Sequence, residues 1–341
     1  MARSGAPVQD PDVARPDPRH GSHHRMRSWY GRHVTAVMCA AVVICAAVVV
    51  VVVRENRSHS APGQSAAAAA PLRYLGVYEP GSPHSHANVD RFAQAVGRSP
   101  NLVLYYSGWP ERFKTAFAQT AADHGATTIV EMDPTKVSLD RIANGAYDPY
   151  LVSYARAVAK FGKRVVISFG HEMNGFWYSW AYHHSSPASF VAAWRHIVTV
   201  FRQHGATNVI WLWQVNSAST KTGPVHDWWP GASYVNWVGV SGYYFLPVET
   251  FGYIFNPVVA SVRKFTNDPV LIAETASASG AGQTRRINDL FAGVRKEHYL
   301  GLVWFDHNSS GGGSSPYSGQ NWRLEGHPGE IKTFRAALAG K

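Results

Sequence analysis

Two glutamates in this 341-residue chain each stand where a long uncharged run ends, Glu172 in VVISFGHEMNG and Glu274 in VLIAET. A charge at such a point leaves a packed strand and enters whatever lies above it. Two carboxyl groups meeting there, held in different protonation states, can break an acetal. The protonated one assists the leaving group, the ionised one attacks the anomeric carbon, and the first returns as base to activate water. A separation of about 5–5.5 Å makes that reaction a retaining one. No metal or organic cofactor is needed for it.

Other chemistries fail on spacing. HEMNG begins like the zinc-protease motif H-E-x-x-H, but Gly175 stands where the second histidine belongs. GVSGYY begins like a nucleophile elbow, yet Tyr243 replaces the closing glycine of G-x-S-x-G. The segment RYLGVYEPGSPHSH holds neither a P-loop nor G-x-G-x-x-G, so nucleotide chemistry has no support. The only cysteines, Cys39 and Cys45, lie in an apolar run near the N-terminus, which leaves the rest without disulfides or a cysteine zinc site.

The elements that must position the two glutamates can be read from hydrophobic texture. Eight strand-like runs cover 73–79, 102–109, 127–134, 163–173, 208–216, 235–243, 269–277 and 299–308. Helical patterns fit between them at 88–97, 111–124, 148–161, 187–204, 255–265 and 284–297, and a last one at 329–338. The strand runs are continuously apolar, as when both faces of a sheet are covered. Eight βα repeats predict a closed (β/α)₈ TIM barrel, an α/β fold, rather than an open doubly wound sheet. The active site of such a barrel lies at the C-terminal strand ends. Those ends carry Glu79, Trp109, Glu131, Asp133, His171, Glu172, Asn216, Tyr243, Glu274, Asp306 and His307.

Four segments in this order, GHEMNGFWYSW (170–180), YVNWVGVSGYY (234–244), PVLIAETAS (269–277) and GLVWFDHN (301–308), resemble glycoside hydrolase family 26, the β-mannanase family within the clan of (β/α)₈ retaining glycosidases. The resemblance covers roughly residues 72–339. It implies that Glu172 is the acid/base and Glu274 the nucleophile. It also implies that His171 orients and polarises the carboxylate pair by hydrogen bonding, and that Tyr243 bonds the nucleophile. Trp177 and Trp304 would form a sugar platform, and Trp109 joins them as a candidate substrate contact. Ser168 and Phe169 depart from the Arg-Pro that family mannanases often carry before the histidine. The expected substrate is a β-linked polysaccharide, with β-1,4-mannan leading. An envelope or exopolysaccharide β-glycan hydrolase or transglycosylase, or a non-catalytic carbohydrate-binding barrel, are the alternatives.

Composition suits this reading. Aromatics make up 13% of the chain, including 12 Trp and 16 Tyr, and such side chains fill cores or stack on sugar rings. The formal net charge of +10 is partly a tail property, since Arg3, Arg15, Arg19, Arg25, Arg27 and Arg32 precede residue 33. No basic stripe interleaved with aromatics follows, so nucleic acid is not an expected partner. Residues 1–33 read as a disordered basic cytoplasmic tail. Residues 34–53 are twenty in a row without a charge, about 30 Å as a helix and enough to span a bilayer. With arginines before it, this segment predicts a single-pass signal anchor with the barrel outside the cytoplasm. A cleaved signal peptide and secretion is the other reading. Residues 54–71 form a small-residue linker and 72–341 the barrel domain.

Overall fold

A computed structural model describes residues 71–309 and 319–341. The tail (1–33), the anchor (34–53) and the linker up to residue 70 lie outside the described residues. Among those described, no helix is long and apolar enough to cross a membrane.

Eight parallel strands close on themselves in sequence order. They are β1 Tyr74–Tyr78, β2 Leu102–Gly108, β3 Thr127–Asp133, β4 Val165–Phe169, β5 Val209–Asn216, β6 Trp237–Ser241, β7 Val270–Thr275 and β8 Gly301–Phe305. The eight runs expected from texture are all there, each trimmed by a few residues where the chain leaves the ladder. β8 returns to β1 with Tyr78 opposite Phe305, which closes the ring.

Alternation along each strand divides the core into two parts. Leu102, Leu104, Ile129, Val166, Leu212, Leu271 and Val303 pack together inside the barrel. Their neighbours Val103, Tyr105, Val130, Val165, Ile167, Ile272 and Leu302 join the layer beneath the helices. A period of two puts successive side chains on opposite faces, so a run apolar at every position serves both layers.

The helices are α1 Ala87–Val96, α2 Thr115–Asp123, α3 Leu139–Ala143, α4 Asp148–Phe161, α5 Pro187–Gln203, α6 Phe251–Val262, α7 Gln283–Lys296 and α8 Pro328–Leu338. In α5, Ser186 caps the start by accepting from the Ser189 amide at 3.0 Å, and Pro187 occupies the first turn. Phe190, Trp194, Ile197 and Phe201 then form its buried stripe. Three helices differ from expectation, and the first of them, α2, begins at 115 rather than 111. α6 begins at 251 rather than 255, because Thr250 supplies the cap by accepting from the Tyr253 amide and the helix runs through Pro257. The short α3, capped by Ser138, was not anticipated. It has too few residues for a periodic signal.

Candidate active site

Glu172 is aimed by the backbone that leaves β4. Gly170 has φ +57° and Glu172 itself φ +54°, both left-handed. A β-carbon at Gly170 would press on Phe190 and Trp180 at 3.1 Å. The Glu172 amide still donates to the Gln214 carbonyl at 2.9 Å, so the turned segment stays tied to β5. The carboxylate receives Trp177 Nε1–H on Oε2 and the Asn216 side-chain amide on Oε1, each at 2.9 Å. Asn216 is in turn clamped by buried Asn174, which donates to its carbonyl at 2.9 Å and accepts from its amide at 2.7 Å. Several residues of the block His171–Gly175 therefore have a local task.

The last of them, Gly175, makes room for an indole. A β-carbon there would lie 2.5 Å from the Trp177 ring. Gly175→Ala is expected to push Trp177 off Glu172 and lower kcat by about 10²- to 10³-fold, the scale of one lost donor at a developing charge. Near-parent circular dichroism and melting should accompany that loss. An unchanged kcat would show that the indole contact is dispensable.

Glu274 reaches the interior through an irregularity. On β7 the register against β6 slips between Val240 and Ser241, so that Ser241 pairs with Glu274. The same extra residue appears against β8, between Ile272 and Thr275. Ala273 belongs to the inner cluster, and strict alternation would therefore turn Glu274 outward. The bulge carries it back in, a recognised use of bulges beside active sites. Its two oxygens accept from the hydroxyls of Tyr243 and Tyr106.

Charge at the mouth is concentrated and buried. Glu274 is pushed up to about 7 by burial and then by the negative Glu172, against lowering from His171 and the two phenols. Below them Glu131 is fully buried, 3.5 Å from His171 Nδ1, and neither of its oxygens has a hydrogen-bond partner. Burial first, and then its acidic neighbours Asp133 and Glu274, raise it to about 8. Burial alone would lower His171, but Asp133, Glu131 and Glu172 outweigh it and hold the imidazole well above its usual 6.5.

The sequence-predicted residues divide on inspection. Glu172, Glu274, Trp177 and Tyr243 come together as expected, although Trp177 contributes an N–H to Glu172 besides its half-buried ring. His171 does not bond either glutamate through the contacts that fix it. Its Nδ1 lies 2.9 Å from Asp133 Oδ1 and its Nε2 3.0 Å from the Tyr178 hydroxyl, so it acts on the pair through charge. Trp304 is a correction. It is fully buried, with Nε1 3.2 Å from Asp306 Oδ1 and its ring against Phe334 of α8. The neighbouring Phe305 faces the mouth instead, stacked on Tyr78 at 4.9 Å. Trp109 packs on Tyr147 and Tyr150 in the layer against α4, not beside the carboxylates. In the loop after β5, Trp228 is fully buried while Trp229 stays half-exposed. Tyr106 was missed, although Leu102 and Leu104 on the same inner face gave the parity that finds it.

A (β/α)₈ barrel with two opposed glutamates at its mouth, one held by indole and amide donors and the other by phenols, defines the glycoside hydrolase class. The family model for glycosyl hydrolase family 26 matches residues 85–309, and the chain belongs to that family. Endoglucanase H of Acetivibrio thermocellus is 27% identical over 275 residues, 76% of this chain but 29% of its own length. A β-1,3-xylanase of Vibrio sp. is 28% identical over 205 residues, 55% of this chain and 42% of its own. The chain thus spans less than half the length of these curated relatives. Among solved structures, Bacillus subtilis mannanase BCman shares the fold with a TM-score of 0.53 at 18% identity, covering 70% of this chain and 81% of that one. A double mutant of the Cellulomonas fimi endo-β-1,4-mannanase gives a TM-score of 0.56 at 14% identity, covering 79% and 71%.

Proposed function

We propose that this chain hydrolyses a β-linked polysaccharide with retention of configuration, Glu172 serving as acid/base and Glu274 as nucleophile. The observation that carries the reading is the unlike surroundings of the two carboxylates. Both Glu274 oxygens receive phenol hydrogens and His171 lies nearby, contacts that oppose the raising effect of burial and of Glu172 and favour the ionised form a nucleophile needs. As acid, Glu172 would hand its proton to the leaving-group oxygen. After the glycosyl-enzyme forms, Glu172 removes a proton from water and the ester at Glu274 is broken. Tyr106 and Tyr243 hold the nucleophile's aim during both steps.

β-1,4-Mannan is the leading substrate, on the strength of the HEMNG-x-W block. The curated relatives bear the names of an endoglucanase and a β-1,3-xylanase, so glucan and β-1,3-xylan belong in the comparison. Residues 34–53 would tether the barrel to the outer face of a cell membrane, where an envelope or exopolysaccharide β-glycan is within reach. Reducing-sugar release from mannan, glucomannan, mixed-linkage glucan, β-1,3-xylan and isolated envelope polymer tests the proposal. Turnover of mannan well above the rest is the expected result. A folded protein silent on all five, yet retained by one of them on an affinity gel, would replace hydrolysis by binding.

A further inference from the structure

Away from the mouth, three side chains from two helix ends converge with the composition of a transition-metal site. His86 precedes α1, Asp90 lies in the first turn of that helix, and His124 caps the end of α2. His86 Nδ1 is 2.9 Å from Asp90 Oδ1 and His124 Nε2 is 3.6 Å from the same oxygen. One ligand atom from each residue falls within 4.8 Å of the other two. Ligands 2.0–2.1 Å from a tetrahedral zinc stand about 3.3–3.4 Å apart. The two distances to Asp90 bracket that spacing, and the two histidine nitrogens, within 4.8 Å, would close by up to about 1.5 Å to reach it.

Tautomers sharpen the case. His124 Nδ1 lies 2.9 Å from the Thr120 carbonyl, which can only accept, so Nδ1 carries the proton. Nε2 then faces the Asp90 carboxylate across 3.6 Å, where either a second ring proton or a bound cation would join the two. A carbonyl on the far nitrogen is also how metal-bound histidines are usually oriented. Two imidazoles and one carboxylate favour zinc and its neighbours over magnesium or calcium, which want oxygen sets.

We infer that His86, Asp90 and His124 bind a zinc-class divalent ion that staples the start of α1 to the end of α2. The side chains of Asp90 and His124 are 44% and 48% exposed, so the remaining position opens to solvent. His86 is 8% exposed and its Nε2 has no protein partner. Coordination through Nδ1 moves the His86 proton to that nitrogen, where no protein acceptor waits. This cost weakens the affinity. The ion is a fastening between helices and takes no part in the chemistry of the glutamates.

The test uses the full chain with His20→Ala, His23→Ala and His24→Ala, so that the tail's histidines do not contribute. Zinc is titrated calorimetrically, cobalt is followed by its visible d–d bands, and melting is measured with zinc, magnesium or a chelator. One zinc per chain, a melting temperature raised by zinc but not by magnesium, and cobalt bands typical of four ligands are expected. His124→Ala and Asp90→Ala should each weaken zinc at least tenfold and abolish the rise in melting temperature, with kcat on the glycan unchanged. His124 is an exposed cap, so its loss leaves the fold in place. No binding, or equal affinity in His124→Ala, would overturn the site and leave a hydrogen-bonded helix-end pair.

Discussion

Glu274→Ala is expected to lower kcat on a β-glycan by on the order of 10⁵-fold, and Glu172→Ala by about 10³–10⁴-fold. The two losses should differ in kind. An aryl glycoside with a good leaving group needs no acid, so Glu172→Ala should form its glycosyl-enzyme quickly and then stall, since water lacks a base. Azide should relieve that stall and give a β-glycosyl azide of retained configuration. In Glu274→Ala the first step is the one lost, and azide entering the vacated space should give the inverted α product. Product anomers read by NMR separate the two cases. Retained product from Glu274→Ala would remove it from the nucleophile's role, and an inverting wild type would sink the mechanism as a whole.

The protein should be more stable in mild acid than in mild alkali. Folding raises Glu274 from 4.5 to about 7, Glu131 from 4.5 to about 8 and Glu79 from 4.5 to about 10, burial being the largest cause in each. A carboxyl whose folded pKa is raised contributes stability fully present below its unfolded value, and that contribution is lost as pH rises through the folded value. His171, raised well above 6.5, has the same sign. The signs all agree and predict a melting temperature that falls between pH 5 and pH 9, each kcal/mol lost moving a domain of this size by about 2–4 °C. Glu131→Gln keeps the shape and removes one titration, so it should flatten the profile between pH 5 and 8. A wild-type profile that is level or rising over this range would refute the prediction. Glu131→Gln parallel to wild type would remove Glu131 from it.

Much of the barrel was legible because strands covered on both faces read as uncharged runs, Glu131 inside β3 being the exception. VVISF and VLIA carry no charge, and the carboxylate that follows each is then conspicuous. Adjacent aromatics were harder, because facing depends on parity rather than on type. In LVLYYSGW only one tyrosine can point inward, and in VWFDH the tryptophan and phenylalanine take opposite faces. Trp304 was read for its ring and Phe305 passed over, although Val303 on the inner face settles the order. Parity would itself have failed at Glu274. The bulge beside Ala273 adds a residue that hydrophobic pattern does not announce, and only the pairing of β7 with both neighbours shows it. His171 was misread for a different reason. Its partners Asp133 and Tyr178 come from another strand and from a loop, and no local pattern joins them.

The left-handed backbone at Glu172 bears on how this lineage can lose its activity. A non-glycine residue held at such a φ costs about 1–3 kcal/mol, and asparagine tolerates the region better than glutamate does. Replacing Glu172 by asparagine would relieve that strain and also remove one of two mutually repelling buried carboxylates. We predict that Glu172→Asn melts above the parent while hydrolysing nothing. A lower melting temperature would show that the orphaned donors of Trp177 and Asn216 matter more. If the prediction holds, neutral drift in a host that no longer meets the polymer runs downhill at this codon. Descendants would keep all eight strands and become inert at residue 172 first.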